Sequence, residues 1–375
     1  MPQAILASER QPLYSTSALP QDMMTESDVI LSCRNVWKVY GGSSGASDAI
    51  LPDAASTAEK RARLGEAGAF CAVSDISLDV RRGEILMVMG LSGSGKSTLL
   101  RCLSRLVEPT SGTITIGGID LLGANPSQLV QIRRDMIGMV FQNFGLLPHL
   151  TVLDNVAFPL RVQGVAKKLR YQRGRELLDL VQLSERADHY PHQLSGGQQQ
   201  RVGIARSLAG GPVLWFLDEP FSALDPLIRR QMQDEFLRLQ SHLGKTIVFV
   251  THDFAEAARL GDRIAIMRDG QLVQLGSAAE ILLAPADDYV RSFTAEVSLL
   301  QTVTARSVMP MARPASASDR SLPRLQDNTR LEEMLPHFIN GAAAIAVCNG
   351  ENTILGVIDR ECFNDLLVRA KIAAA

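Results

Sequence analysis

The pattern of apolar and polar positions changes several times along the chain. Residues 28–41, DVILSCRNVWKVYG, set Ile30, Val36, Val39 and Tyr40 in a run with the β-branched and aromatic character of a strand. The stretch GGSSGASDA that follows has the composition of a flexible connection, and STAEKRARLGEAG after it predicts a short helical insert. A second strand, AVSDISLDV, turns through RRGE into ILMVMG, 85–90, an apolar run without alternation that stops at glycine. Such a run predicts a parallel strand buried on both faces. PVLWFLDEP, 212–220, and TIVFVTHD, 246–253, have the same texture. Between them Ile228, Met232, Phe236, Leu239 and Leu243 repeat at helical spacing and Gly244 closes the helix. These elements predict an α/β fold built on a doubly wound sheet.

Both ends of the chain read differently. Residues 1–27 are polar, mixed and Pro-containing, without the basic start and apolar core of a secretory signal, and are expected to form a mobile arm. A linker is expected at 299–325, where residues 309–324 turn rich in Pro, Ser and Arg. Residues 326–375 then give helix, short strand, a turn at NGEN, strand and helix. No run approaches the ~20 apolar residues that span a bilayer, so a membrane role has to act through a partner. A net charge of -2 over 375 residues, with no Lys/Arg block, argues against nucleic acid. The five cysteines, at 33, 71, 102, 348 and 362, are scattered and never spaced as CxxC, which fits a reducing compartment. His189 and His192 stand at HxxH spacing, but a Pro-containing loop without a third ligand argues against a metal there.

Candidate chemistry begins at GLSGSGKST, 90–98. Gly90, Gly93 and Gly95 with Lys96 and Ser97 satisfy the phosphate-loop pattern between a buried strand and a helix. Glycines let consecutive N–H groups, including those of Ser92, Ser94 and Thr98, turn toward one anion, and the helix that follows directs its positive end there. Lys96 is assigned to the β- and γ-phosphates and the Ser97 hydroxyl to Mg²⁺. The acidic strand such a loop needs is 212–220, where Asp218 is assigned to the Mg²⁺ shell and Glu219 to general base for the attacking water. His252 ends the third buried strand, on the edge where ligands gather, and is assigned to the γ-phosphate.

Taken with GLSGSGKST, the segments Gln142 in MVFQN, LSGGQ at 194–198, FLDEP, Asp225 in SALD and His252 in VTHD resemble, in matching order over residues 28 to about 295, the ATP-binding subunit of an ABC transporter. The resemblance implies a RecA-like core sheet, an antiparallel β subdomain and a helical subdomain at about 144–205, all within 28–298. It implies that Ser195, Gly196, Gly197 and Gln198 cap the γ-phosphate held by a second copy, so that two chains sandwich two ATP head to tail. Gln142 would touch Mg²⁺ and the water, Asp225 would line the nucleotide, and Tyr40 would stack on adenine, although an insert follows Tyr40 where most members have a compact hairpin. Implied partners are integral-membrane permease subunits, a substrate-binding protein and a second ATPase subunit, at the cytoplasmic face of the inner membrane. Leu146, Leu147 and Pro148 are expected at the permease.

VMGLSGSGKSTLLRCLSRLVEPTSG and FQNFGLLPHLTVLDNVAF look most like ATPases that energise uptake of quaternary amines such as glycine betaine, proline betaine and choline. Alternatives are an importer of another small solute, such as an amino acid, and a soluble ABC ATPase. The 326–375 segment resembles a single CBS module, a small α+β unit. Asp359 to Cys362 replace its ribose-holding Thr-x-x-Asp, so a packing or dimer-stabilising role stands beside a regulatory one.

Overall fold

The computed structural model describes residues 28–42, 56–141, 145–222, 224–295, 297–314, 319 and 321–373. The expected 1–27 arm, most of the Gly/Ser stretch and Gln142 lie outside the described residues.

The apolar runs form a six-stranded sheet of β3 (Ile85–Met89), β6 (Ile137–Val140), β7 (Leu214–Asp218), β8 (Thr246–Thr251), β9 (Arg263–Arg268) and β10 (Gln271–Gly276). Its order is β10-β9-β3-β8-β7-β6, parallel from β9 to β6, with β10 antiparallel at the edge. Every residue of β3, β7 and β8 is buried, as the missing alternation requires. One face of the sheet, including Leu86, Val88, Phe216, Val248 and Val250, packs on α2 (Lys96–Leu103) and on a second sheet. That sheet is antiparallel and joins β1 (Val29–Gly41), β2 (Ala69–Arg81), β4 (Ser111–Ile116) and β5 (Ile119–Asp120) in the order β2-β1-β4-β5. The insert between β1 and β2 holds α1 (Thr57–Glu66), started by a Ser56–Glu59 capping box and fixed by Leu64, which is buried against Trp37. α3 (Pro126–Asp135) leads into β6.

The opposite face of the core sheet, with Ile85, Met87, Trp215, Leu217, Ile247 and Phe249, packs on helices. α4 (Val152–Val162), α5 (Lys167–Leu180) and α6 (Gly196–Ala209) pack on one another as a helical layer. From the first turn of α4 the fully buried Asn155 holds the segment ahead of the helix, accepting from Leu147 N–H at 2.7 Å and donating to the carbonyls of Leu147, Leu150 and Thr151. Leu146 and Leu147 are therefore half-buried, with Pro148 exposed. α7 (Pro226–Leu243) buries Met232, Phe236 and Leu239, and Phe236 meets Trp215, Phe221 and Phe249 with ring centroids 5.8–6.2 Å apart. Gly244 ends α7 in the left-handed region at φ 55°, as its sequence position predicts. α8 (Phe254–Leu260) connects β8 to β9.

Beyond the core sheet come α9 (Ala278–Leu283), α10 (Asp288–Thr294) and α11 (Leu299–Thr302). A small α+β unit follows: β11 (Arg324–Gln326), α12 (Leu331–Ile339), β12 (Ala344–Cys348), β13 (Ile354–Asp359) and α13 (Arg360–Ala373). β12 lies between a parallel β11 and an antiparallel β13, and Phe338 stacks on Phe363 at 4.5 Å. The expected linker at 299–325 needs correcting: α11 and a 3₁₀ segment at Arg306–Met311 fall inside it, and β11 starts at its end. Its composition is that of a spacer, but Leu299, Val303, Ala305 and Val308 are buried in the cluster that also holds α9 and α12, and this burial holds 299–308 in place.

Candidate functional site at the carboxyl edge of the core sheet

Parallel pairing puts the carboxyl ends of β3, β7 and β8 on one edge. Met89 lies opposite Thr251 and Asp218 opposite Val250, so the phosphate loop, the acidic pair and His252 leave the sheet side by side. The loop is held by its backbone. Gly90 leaves no room for a side chain, since a Cβ there would lie 2.2 Å from the Met267 carbonyl, and one on Gly95 would lie 2.2 Å from the Ala72 carbonyl. Gly95, at φ 96°, is also the N-cap of α2. The Gly270 N–H donates to the Ser94 carbonyl at 3.0 Å, tying the loop to the β9–β10 turn. Ser92 and Gly93 are exposed and Thr98 half-buried.

Lys96 is buried and its Nζ donates back to the carbonyls of Gly90 at 2.8 Å and Leu91 at 3.0 Å. Burial lowers its pKa, and the nearby Glu219 and Asp218 charges oppose that shift. The Ser97 hydroxyl donates to Asp218 Oδ1 at 2.8 Å. Asp218 is 5% exposed, and burial raises its pKa against the hydrogen bond from Ser97. A hydroxyl paired to a carboxylate is a hard-oxygen donor set that suits Mg²⁺. The buried Ser94 hydroxyl has no hydrogen-bond partner among the described residues and sits in the loop where a phosphate oxygen would accept from it. The loop thus fits a nucleotide polyphosphate.

Glu219 stands in the left-handed region at φ 46°, a conformation that costs a non-glycine residue about 1 kcal/mol or more and persists only where its surroundings impose it. Its N–H donates to the Val250 carbonyl at 3.1 Å, and its own carbonyl accepts from the Ser222 hydroxyl at 2.9 Å. The side chain is thereby aimed at His252, whose Nδ1 lies 3.4 Å from Glu219 Oε2. His252 is half exposed and Glu219 only one-fifth exposed, so the pair opens outward at the edge beside Lys96.

The Ser-Gly-Gly loop is built as a helix start. Ser195 caps α6, its hydroxyl accepting from Gln198 N–H at 3.3 Å while Gln198 Oε1 accepts from Ser195 N–H at 3.0 Å. Gly197 packs so closely on α7 that a Cβ would stand 3.0 Å from Ile228, while Ser195 and Gly196 stay exposed. Among the described residues no hydrogen bond joins 195–198 to 90–98. Asp225 is exposed and caps α7, accepting from Ile228 N–H at 3.1 Å. Tyr40 is 44% exposed near the end of β1 and pairs in register with Phe70 of β2. Because Ala72 of β2 touches Gly95, this ribbon end hangs beside the phosphate loop. Lys38 Nζ lies 4.8 Å from the centre of the Tyr40 ring.

The profile of the ABC transporter family matches residues 73–222, the span from β2 to the turn after Glu219. The trimethylamine N-oxide transport system ATP-binding protein TmoW of Ruegeria pomeroyi is 48% identical over 341 residues, which cover 91% of this chain and 98% of that protein. This chain belongs to the ABC transporter ATP-binding proteins of the quaternary-amine uptake family. A second member, the glycine betaine/carnitine transport ATP-binding protein GbuA of Listeria monocytogenes, is 49% identical over 272 residues, covering 72% of this chain and 68% of that protein. The cassette fold is shared with a dimeric ATP-binding cassette solved in a post-hydrolysis state with ADP and phosphate, 35% identical, with a TM-score of 0.55 over 66% of this chain and 98% of that one. ABC cassettes bind ATP and hydrolyse it to drive transport.

The motif residues of the cassette are readable from sequence, but the residues that support them are not. Tyr289 of α10 donates its hydroxyl to the Met267 carbonyl at 2.9 Å and accepts from the phosphate-loop Leu91 N–H at 3.3 Å. Its only signal in the sequence is an aromatic position in PADDYVRSF, with nothing to link it to residue 91.

Proposed function

We propose that the chain is the ATP-hydrolysing motor subunit of an importer for small methylated amines, working as a head-to-tail homodimer on permease subunits at the cytoplasmic face of the inner membrane, with a substrate-binding protein delivering the solute. The observation that carries the ATPase part is the single edge on which Lys96, the Ser97–Asp218 pair and the Glu219–His252 pair meet.

Ser97 and Asp218, with Gln142, are the groups that would hold Mg²⁺; the bound ion would neutralise phosphate charge. Lys96 leaves its loop carbonyls for the phosphates when the nucleotide arrives. Glu219 takes the proton of the attacking water, and His252 keeps Glu219 oriented and faces the terminal phosphate. Tyr40 stacks on adenine. Ser195, Gly196, Gly197 and Gln198 serve the nucleotide of the partner copy, a reading supported by the exposure of Ser195 and Gly196 and by the lack, among the described residues, of hydrogen bonds from 195–198 to this chain's own phosphate loop. Asp225 supports that same junction from the start of α7. Loss of the terminal phosphate removes the anion that both copies share, and the dimer opens. The 326–375 unit is proposed as a CBS-like domain, but Asp359 accepts from Cys362 N–H at 2.8 Å and so caps α13, which favours packing over ligand binding.

For the substrate, the names of the relatives point to trimethylamine N-oxide, glycine betaine and choline. The near-complete coverage of the trimethylamine N-oxide relative, against 68% of GbuA, favours the N-oxide. The sequence motifs point to quaternary amines and do not single out an N-oxide, which also presents a methylated cationic nitrogen beside an oxygen anion. The test is uptake of labelled trimethylamine N-oxide, glycine betaine and choline in cells carrying the native chain or Glu219→Gln, with the rest of the transport system in place. Loss of N-oxide uptake is the expected result. Loss of betaine or choline uptake alone selects the second reading, and no change in any of the three removes the amine assignment.

A further inference from the structure

The catalytic pair rests against a cavity that its own motifs do not account for. The cavity measures about 10 Å³, room for roughly one water molecule, and its lining includes Glu219, Arg229, His252, Asp253 and Glu256. Two of these are charged groups outside every nucleotide motif. Arg229 comes from the first turn of α7, and its Nη2 donates to the carbonyls of Leu224 at 3.1 Å and Ser222 at 3.5 Å, the turn that leads from Glu219 to Asp225. Its Nε is buried without a hydrogen-bond partner among the described residues. Glu256 comes from α8, one helical turn after His252, and is 6% exposed. Its Oε1 accepts from Gln233 Nε2 at 2.9 Å, and Gln233 sits one turn along α7 from Arg229. Burial pushes the Glu256 carboxyl pKa up, and hydrogen bonds from Thr251 and Gln233, followed by the Arg229 charge, pull it back.

A buried guanidinium donor without a partner is costly, and so is a buried carboxyl. Two such groups set across one small cavity from the general base are best explained by what they hold in place. On the ATPase reading above, we propose that Arg229 is a positioning residue, pairing across this cavity with Glu256 to clamp the turn after Glu219 against the helix that follows His252. It acts through the strained backbone of Glu219 and touches no nucleotide. The clamp therefore serves turnover and leaves nucleotide binding alone.

The test compares the full chain with Arg229→Met, Arg229→Lys, Glu256→Gln and the Arg229→Met/Glu256→Gln pair. Steady-state ATPase is read as kcat and KM, and binding of a fluorescent ATP analogue is titrated in EDTA. Arg229→Met is expected to lower kcat on the order of 10–100-fold, the cost of a misplaced catalytic group, with KM and analogue affinity within about twofold. Arg229→Lys should restore part of the loss, because an ammonium reaches the same carbonyls. The double variant should be no slower than Arg229→Met alone, since the partner of Glu256 is already gone. An unchanged kcat, losses that multiply in the double variant, or weakened analogue binding would each overturn the proposal. If Arg229→Met does not fold, Arg229→Lys and Glu256→Gln decide, and a normal kcat in both rejects the clamp. A native chain that binds the analogue but never hydrolyses ATP would instead sink the ATPase reading on which the clamp rests.

Discussion

Asp218 is a carboxyl that the fold buries against its own preference. Burial raises its pKa, so the folded chain holds that proton more tightly than the unfolded one, and ionisation opposes folding increasingly as pH rises above the ordinary carboxylate range. Asp218→Asn should therefore raise the melting temperature of the nucleotide-free chain at about pH 7.5, with the gain shrinking as pH falls through the folded-state pKa, while ATPase activity is lost. Melting curves of both proteins across that range check this, and a variant that melts lower at every pH would mean the carboxylate is stabilising where it stands. Residues like Asp218 are legible in the sequence because phosphate chemistry fixes both residue type and local spacing: a lysine and a serine after glycines, two acids ending an apolar strand. Arg229, Glu256 and Tyr289 carry no such local signature. Their roles come from contacts over 5–7 residues in one case and 198 in another.

At the level of elements, strands buried on both faces are legible from the absence of alternation, and α7 from its stripe and its closing glycine. What joins them is the aromatic cluster of Trp215, Phe221, Phe236 and Phe249, which seats α7 on the core sheet directly beneath the turn after Glu219. Phe236 is 1% exposed, so Phe236→Ala should cost about 3–5 kcal/mol in denaturant unfolding. Because Phe221 follows Glu219 in that turn, kcat should fall as well. A loss below about 1 kcal/mol would show that the cluster repacks around the gap. The segment at 299–325 behaves in the opposite way: prolines, serines and arginines hide Val303, Ala305 and Val308, which gain their value only against α9 and α12, elements on either side of them in sequence.

For the whole molecule, the Ser-Gly-Gly loop is a capped helix start that faces outward, apart from this chain's phosphate loop among the described contacts. Glu219→Gln should therefore hold a MgATP-bound dimer visible by sedimentation, with hydrolysis reduced on the order of 100-fold or more. A variant that stays monomeric at saturating MgATP would remove the sandwich. By itself the sequence determined the fold class and marked the candidate reacting groups, since a buried parallel strand and a phosphate loop each need particular residues within a few positions of one another. Tertiary structure decided what holds those groups at working distance. Pairing β3, β7 and β8 in parallel brings residues 90, 218 and 252 to one edge. Packing α7 against α8 sets Arg229 and Glu256 behind them, and no local pattern can specify contacts whose partners are chosen only when the chain closes on itself.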